Sequence, residues 1–252
     1  MTHMAGFDHD SFTDAIERES ATFVAVATTI DSDARVPSCP DWTADDLLRH
    51  VGIVQRWATG QVEERRTERV WVGDVETPTE HAALLDWVRD GSARLVAVLR
   101  ATPPETAMWT FPGMGEASFW SRRQAQEIAL HRVDMQLAAG GGDDAAYAID
   151  SDLAADGIDE FLDAVVPHRL RDRMVGNGET FHFHRTDGDG EWLVRLTPTG
   201  PEVEHAHAKG DVAVRGGASD LLLVLRNRAS LDAVEVFGDT ALLDRWHELT
   251  AI

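Results

Sequence analysis

Hydrophobic residues in the first half of the chain recur at the spacing of amphipathic helices. Phe12, Ile16, Phe23 and Ile30 differ by four and then by sevens, which predicts a first helix that includes Ile30. Similar stripes predict a second helix over 43–58, a third over 84–99 and a fourth over 118–139. Each helix has one apolar stripe, and four such stripes are buried most economically in a four-helix bundle.

Local signals indicate where these helices begin and end. The run Pro37-Ser-Cys-Pro-Asp-Trp42 separates the first helix from the second. Thr43, followed three residues later by Asp46, resembles a capping box that opens the second helix. The Pro103-Pro104 pair is expected to end the third helix, because a residue that precedes proline disfavours the helical conformation.

The pattern changes after the helix-breaking run Gly140-Gly-Gly-Asp-Asp144. Beyond it we predict a helix over 153–170, strands over 180–184, 191–197 and 211–214, a buried helix over 218–227, a strand over 234–237 and a closing helix over 240–249. The fold class is therefore α plus α+β. Residues 1–145 are predicted to form the four-helix bundle, and residues 146–252 a smaller α+β domain with a mixed sheet and helices.

Charge and composition exclude several classes of function. The 252 residues include 23 Lys and Arg against 44 Asp and Glu, so the formal charge of −21 repels nucleic acid, and no basic cluster reverses this locally. The longest apolar run, Leu221–Leu225, is far below the roughly 20 residues that span a bilayer. The single Cys39 excludes an intramolecular disulfide, and residues 1–10 lack the features of a signal peptide. We therefore expect a cytoplasmic protein with no membrane span.

A histidine on the predicted second helix is the first candidate for chemistry. His50 lies on the apolar side of that helix, between Val54 and Trp57 on a helical wheel, so it is expected to point into the bundle. The plainer interpretation is a core histidine that hydrogen-bonds to a carbonyl. The alternative interpretation is a metal ligand.

The predicted fourth helix favours the second interpretation. Gln124, Glu127, His131 and Asp134 share one narrow face, which on its own is typical of a solvated helix surface. Trp120 on the same face argues against plain solvent exposure. Glu127 and His131 are one turn apart and can share an ion, and His50 from a facing helix can complete a set of two histidines and one carboxylate. Such a set leaves coordination positions open, which is typical of catalytic sites.

Two segments resemble the mycothiol-dependent maleylpyruvate isomerase family. They are Val36-Pro-Ser-Cys-Pro-Asp-Trp-Thr-Ala-Asp-Asp-Leu-Leu-Arg-His50 and Arg122-Arg-Gln-Ala-Gln-Glu-Ile-Ala-Leu-His131. The resemblance covers nearly the whole chain and implies a DinB-like four-helix bundle joined to a smaller C-terminal domain. It also implies a divalent metal, with zinc as the expected ion, held by His50, Glu127 and His131.

The resemblance further implies that the low-molecular-weight thiol mycothiol is a cosubstrate. A metal-bound thiol loses its proton and becomes a nucleophile, so Cys39 is not required. In an isomerase the thiolate adds to a cis double bond, the resulting single bond rotates and elimination gives the trans product. In an S-transferase the thiolate stays attached to the electrophile. Maleylpyruvate is one possible substrate among small electrophiles.

Other residues have a functional and a plainer interpretation. Arg228 can hold a substrate carboxylate in a catalytic role, and Arg123 can contact the cofactor, although an exposed helix-end cation is the simpler explanation. The segment Trp109–Met114 is either a wall over the site or a packed connection. The pairs formed by residues 182 with 184 and 205 with 207 would permit a second metal site. Exposed histidines on one sheet face are the plainer interpretation, because no carboxylate partner is identifiable.

Two other functions are compatible with the same residues. A His, His and Glu set is also the facial arrangement of non-haem Fe(II) enzymes that react with oxygen. A non-catalytic ligand-binding stress protein could retain the bundle without turnover.

Overall fold

The computed structural model describes residues 7–70, 75–140 and 147–251. Contacts between residues divide them into two units, one ending at Tyr147 and the other beginning at Ala148. The predicted boundary between residues 145 and 146 lies outside the described residues. No helix in the described ranges combines the length and the apolar character needed to cross a bilayer.

Four long helices form most of the first unit: α1 (His9–Ala27), α2 (Ala44–Glu63), α3 (His81–Ala101) and α4 (Ala117–Ala138). Helix α1 packs against α3 and α4, and α2 packs against the same two helices. Most residues of the predicted stripes are buried between them, and Phe23, Leu47 and Leu95 are fully buried. The hydrophobic period therefore predicted these four helices. Helix α4 buries more than one stripe, since every residue from Ile128 to Met135 is buried.

The ends of the helices show one confirmed prediction and one error. The capping box is present, since Thr43 Oγ1 accepts from the Asp46 N–H at 3.2 Å and Asp46 Oδ2 accepts from the Thr43 N–H at 3.0 Å. The first helix, however, ends at Ala27 and does not include Ile30. The hydroxyls of Thr28 and Thr29 donate to carbonyls in the last turn of α1, and such local bonds compete with helix continuation.

Two short hairpins in the first unit were not predicted. Strands β1 (Arg35–Val36) and β2 (Cys39–Thr43) pair between α1 and α2, and β3 (Ala107–Thr110) and β4 (Gly113–Glu116) pair between α3 and α4. The second hairpin brings its aromatic residues against α2 and α4. The resulting aromatic cluster consists of Trp57, Trp109, Phe111, Phe119 and Trp120. The segment between α3 and α4 is therefore a packed connection.

The second unit is a mixed sheet with helices, as predicted. Its strands are β5 (Thr180–Arg185), β6 (Glu191–Thr197), β7 (Gly200–Glu204), β8 (Val212–Gly216) and β9 (Glu235–Gly238). They lie in the order β7-β6-β5-β8-β9, and β5 and β8 are parallel whereas the other neighbours are antiparallel. The helices are α5 (Ser151–Glu160), α6 (Ala218–Leu225) and α7 (Ala241–Thr250).

Trp246 of α7 marks the core side of this sheet. Its indole contacts the rings of Phe181 and Phe183, with centroids 5.1 and 5.0 Å away, and all three side chains are buried. Because side chains alternate along a strand, the residue that follows each phenylalanine in β5 faces the other side of the sheet. That side carries His182 and His184.

Two details of the second unit differ from the prediction. The helix predicted over 153–170 is α-helical only to Glu160 and continues as a π-helix over Phe161–Leu170. Pro167 has no N–H to donate, so the regular α-helical bonding is interrupted there. Strand β7 was not predicted, because Pro201 weakens a strand signal; β7 tolerates this proline because it lies at the edge of the sheet.

Candidate metal centre

Helices α2 and α4 bring together the three predicted ligands. Glu127 Oε1 lies 3.2 Å from His50 Nε2 and 3.2 Å from His131 Nε2. One donor atom from each of the three residues lies within 4.8 Å of the other two. Because His131 follows Glu127 by four residues, one turn of α4 fixes their separation, and the packing of α2 on α4 adds His50.

The three side chains are partly accessible to solvent. The side chains of His50, Glu127 and His131 are 32%, 22% and 11% exposed. The His50 imidazole lies beside the Trp42 indole, with ring centroids 4.9 Å apart. It also makes an edge-to-face contact with the His131 ring at the same centroid distance. His50 is thus the most exposed of the three side chains and His131 the least exposed.

A second carboxylate orients His131 from behind. Asp134, which is fully buried, accepts a hydrogen bond at Oδ2 from His131 Nδ1 at 2.8 Å. Its other oxygen accepts from Ser38 Oγ at 2.5 Å. Since Nδ1 carries the proton given to Asp134, Nε2 is the nitrogen directed toward Glu127 and His50. Carboxylate partners of this kind are typical of histidines that bind metals.

The charge on Glu127 is stabilised by its neighbours. Burial raises the pKa of this carboxyl, but the Arg123 guanidinium and hydrogen bonds from His131 and His50 outweigh burial and hold the pKa well below its usual range. Arg123 Nη2 forms an ion pair with Glu127 Oε2 one turn along α4. Glu127 is therefore an ionised carboxylate at neutral pH, which is the form that binds a cation.

The same carboxylates act on His131. Burial lowers the pKa of its imidazole, but hydrogen bonds and charge from Asp134 and Glu127 outweigh burial and raise the pKa to about 9. Without a cation, His131 is therefore protonated at neutral pH and donates to both carboxylates. The site places two negative groups around one imidazole, and it stabilises whatever positive charge lies at Nε2.

Comparison with known proteins identifies the family. Residues 13–136 match the protein family described as "Mycothiol maleylpyruvate isomerase N-terminal domain". Residues 152–245 match the family described as "MDMPI C-terminal domain". The chain belongs to the mycothiol-dependent maleylpyruvate isomerase family. The family assigned from the two sequence motifs is thus confirmed.

Solved structures of the family's namesake share this fold. The crystal structure of a mutant of the mycothiol-dependent maleylpyruvate isomerase matches with a TM-score of 0.66, at 15% identity, over 94% of this chain and 95% of that one. The crystal structure of the mycothiol-dependent maleylpyruvate isomerase itself matches with a TM-score of 0.58, at 15% identity and the same coverage. No curated protein sequence matches the chain.

The remaining predicted residues lie in different places. Arg123 is part of the site, where it contacts a predicted ligand and not only solvent. Arg228 lies after α6 in the second unit, and its Nη1 donates to the carbonyl of Arg226 at 2.6 Å. Sequence reasoning placed Asp134 on the same helix face as Glu127 and His131 but assigned it no role. Its spacing of three residues from His131 was the available signal, whereas no local pattern indicated Ser38.

Proposed function

We propose that this protein is a metal-dependent enzyme that uses mycothiol as a cosubstrate and acts on a small electrophile. The proposed reaction is the cis–trans isomerisation of a maleylpyruvate-type substrate; transfer of the thiol to an electrophile would use the same activated sulfur. Family membership supports the use of mycothiol and the isomerisation reaction. The observation that carries the proposal is the convergence of His50, Glu127 and His131, with Asp134 behind them.

The donor atoms fit a divalent cation. Ligands placed 2.0–2.1 Å from a tetrahedral zinc are separated by about 3.3 Å. The distances of 3.2 Å from Glu127 Oε1 to the two Nε2 atoms are close to this value. Three protein ligands leave at least one coordination position for a further ligand, and the partial exposure of His50 gives access to it.

Each residue then has a defined part in the proposed site. A divalent cation, when bound, lowers the pKa of a coordinated thiol so that the sulfur is held as the nucleophilic thiolate. Asp134 holds the Nδ1 proton of His131 and leaves Nε2 for binding. Arg123 keeps Glu127 ionised, and we propose that its guanidinium also contacts the thiol cosubstrate.

We further propose that Arg228 anchors a substrate carboxylate, since a guanidinium matches a carboxylate with two parallel donors. An Arg228→Met variant should then raise KM for a carboxylate substrate while its metal content stays the same. An unchanged KM would exclude this role.

A direct test combines metal analysis with product analysis. The protein is loaded with zinc and incubated with mycothiol and a panel of electrophiles that includes maleylpyruvate, and the products are identified by mass spectrometry. The His50→Ala and Glu127→Gln variants should each lose zinc and product. The matched control is His81→Ala, because His81 also contacts a carboxylate in the first unit, Asp45 at 2.6 Å, but does not belong to the cluster.

The outcomes separate this proposal from its rivals. Full turnover in His50→Ala would refute the proposed ligand set. Tightly bound iron after purification without added metal, together with oxygen consumption, would favour the non-haem iron interpretation. Ligand binding without any adduct or isomerised product would favour a non-catalytic binding protein.

A further inference from the structure

A second group of metal-binding side chains lies on the sheet of the C-terminal unit. His182 and His184 share one face of β5, because they are two residues apart. Glu191, the first residue of β6, is paired with His184 in the strand register. His207, in the segment between β7 and β8, extends to the same place. Glu191 is the carboxylate partner that sequence reasoning did not find.

Glu191 is at the centre of this cluster and contacts all three histidines. Glu191 Oε2 lies 3.0 Å from His182 Nε2 and 2.5 Å from His207 Nδ1. Glu191 Oε1 lies 3.0 Å from His184 Nδ1. One donor atom from each of the four residues lies within 4.8 Å of all the others. Four ligands around a zinc ion would be about 3.3 Å apart, so small movements of exposed side chains would place them around one ion.

The cluster is built into the sheet but open at one side. His182 is only 6% exposed, although it faces away from the aromatic core formed with Trp246. The side chain of His207 is 80% exposed. The two strands therefore supply three fixed donors, and the segment between β7 and β8 supplies a fourth that can adjust.

We propose that His182, His184, Glu191 and His207 bind a divalent transition metal ion of the zinc class. Imidazole ligands select such ions over magnesium and calcium, which prefer oxygen. Four protein ligands complete a tetrahedron, which is the composition of a structural site and not of a catalytic one. The ion ties the segment that carries His207 to β5 and β6. This site is separate from the ligand set of the first unit and does not depend on the proposed enzyme activity.

A neighbouring histidine provides a matched control. His205 is close to His207 in sequence, and its side chain is 48% exposed. Its Nε2 lies 3.0 Å from Asp163 Oδ2, and it does not belong to the cluster. Substitution of His205 removes an exposed histidine from the same segment without removing a proposed ligand.

The test measures zinc binding to the untagged full chain. In a His50→Ala, His131→Ala background, which removes the histidine ligands proposed for the first unit, equilibrium dialysis should give one zinc per chain. Addition of Glu191→Gln or His207→Ala to that background should weaken this binding by at least ~10-fold, because loss of a direct ligand costs no less than loss of its supporting partner. Addition of His205→Ala should leave it unchanged, and magnesium should not compete.

Thermal melting gives a second readout. Zinc should raise the melting temperature of the background variant but not that of its His207→Ala derivative. If the background variant does not fold, the same comparison is made in the otherwise unmodified chain, where His207→Ala should lower the zinc content from two ions to one. Absence of zinc in the folded background variant would overturn the proposal. Retention of zinc after both Glu191→Gln and His207→Ala would do the same, since the cluster would then be only a hydrogen-bonded network.

Discussion

Asp134 provides a quantitative test of the candidate metal centre without changing a ligand. Asp134→Asn keeps the size of the side chain but removes its charge. The hydrogen bond that it accepts from His131 Nδ1 at 2.8 Å is buried and charge-assisted, and such bonds contribute about 1.5–3 kcal/mol. If the whole contribution acted on metal binding, the Kd for zinc would rise by about 10–100-fold.

Part of this effect cancels at neutral pH. The pKa of His131 is about 9, so a metal ion must displace a proton from Nε2, and Asp134 stabilises that proton as well as the ion. The ion carries twice the charge and gains more from Asp134. We therefore expect the Kd of Asp134→Asn to rise by roughly tenfold at neutral pH and by up to about 100-fold above pH 9, where no proton competes.

Competition titration with a chromophoric chelator measures the Kd for zinc at neutral pH and above pH 9. The matched control is Glu19→Gln, because Glu19 is also a buried carboxylate of the first unit and accepts from Arg132 Nε at 2.8 Å, away from the cluster. That variant should lose about 1–3 kcal/mol of the free energy of unfolding with an unchanged Kd. A Kd for Asp134→Asn equal to that of the wild type above pH 9 would refute the orienting role of Asp134.

Three further predictions follow from named contacts. The raised pKa of His131 means that this imidazole is protonated below about pH 9. The affinity for zinc should therefore fall about tenfold for each pH unit as the pH falls from 8 to 6. Calorimetry in buffers of different ionisation enthalpy should detect the proton released on binding, and a pH-independent affinity would contradict this prediction. A methyl group at Gly52 would come within 2.0 Å of the Trp87 ring, whereas one at Gly60 would come no closer than 3.4 Å to a flexible side chain. Gly52→Ala should therefore lower the free energy of unfolding by about 1–3 kcal/mol, and Gly60→Ala should raise it by up to about 1 kcal/mol. Equal effects of the two substitutions in urea denaturation would refute the steric argument. Cys39→Ser should retain most turnover, since the proposed nucleophile is the thiol of the cosubstrate, and loss of turnover in a folded variant would show that the nucleophile is misassigned.

The sequence could predict those parts of the site that depend on one helix. A spacing of four residues places Glu127 and His131 on one face of α4 whatever surrounds that helix. The apolar stripe of α2 placed His50 toward the interior, where it could complete the set from a facing helix. The resemblance to the family then selected the same three residues. A single helical period is therefore enough to place such residues side by side. Their role as metal ligands stays a prediction.

Contacts that depend on unpredicted strands or on strand register were beyond the same reasoning. Ser38 and Asp134 are 96 residues apart and meet only because the β1–β2 hairpin lies against α4. The hairpin itself has two prolines in its sequence, which suggested a simple break. Glu191 was missed for a related reason, since the register of β5 and β6 decides which residue lies beside His184.

The first of the two family motifs, residues 36–50, contributes to the site through more than its last residue, His50. Trp42 packs beside His50, and Ser38 donates to the carboxylate that orients His131. Both contacts come from the β1–β2 hairpin, whose backbone leads directly into the capping box of α2. One short segment thus positions a residue on α2 and a residue on α4 at the same time. A motif of this length is expected where several residues of one loop must fit two helices, and this explains why it is more distinctive than the ligand spacing on α4 alone.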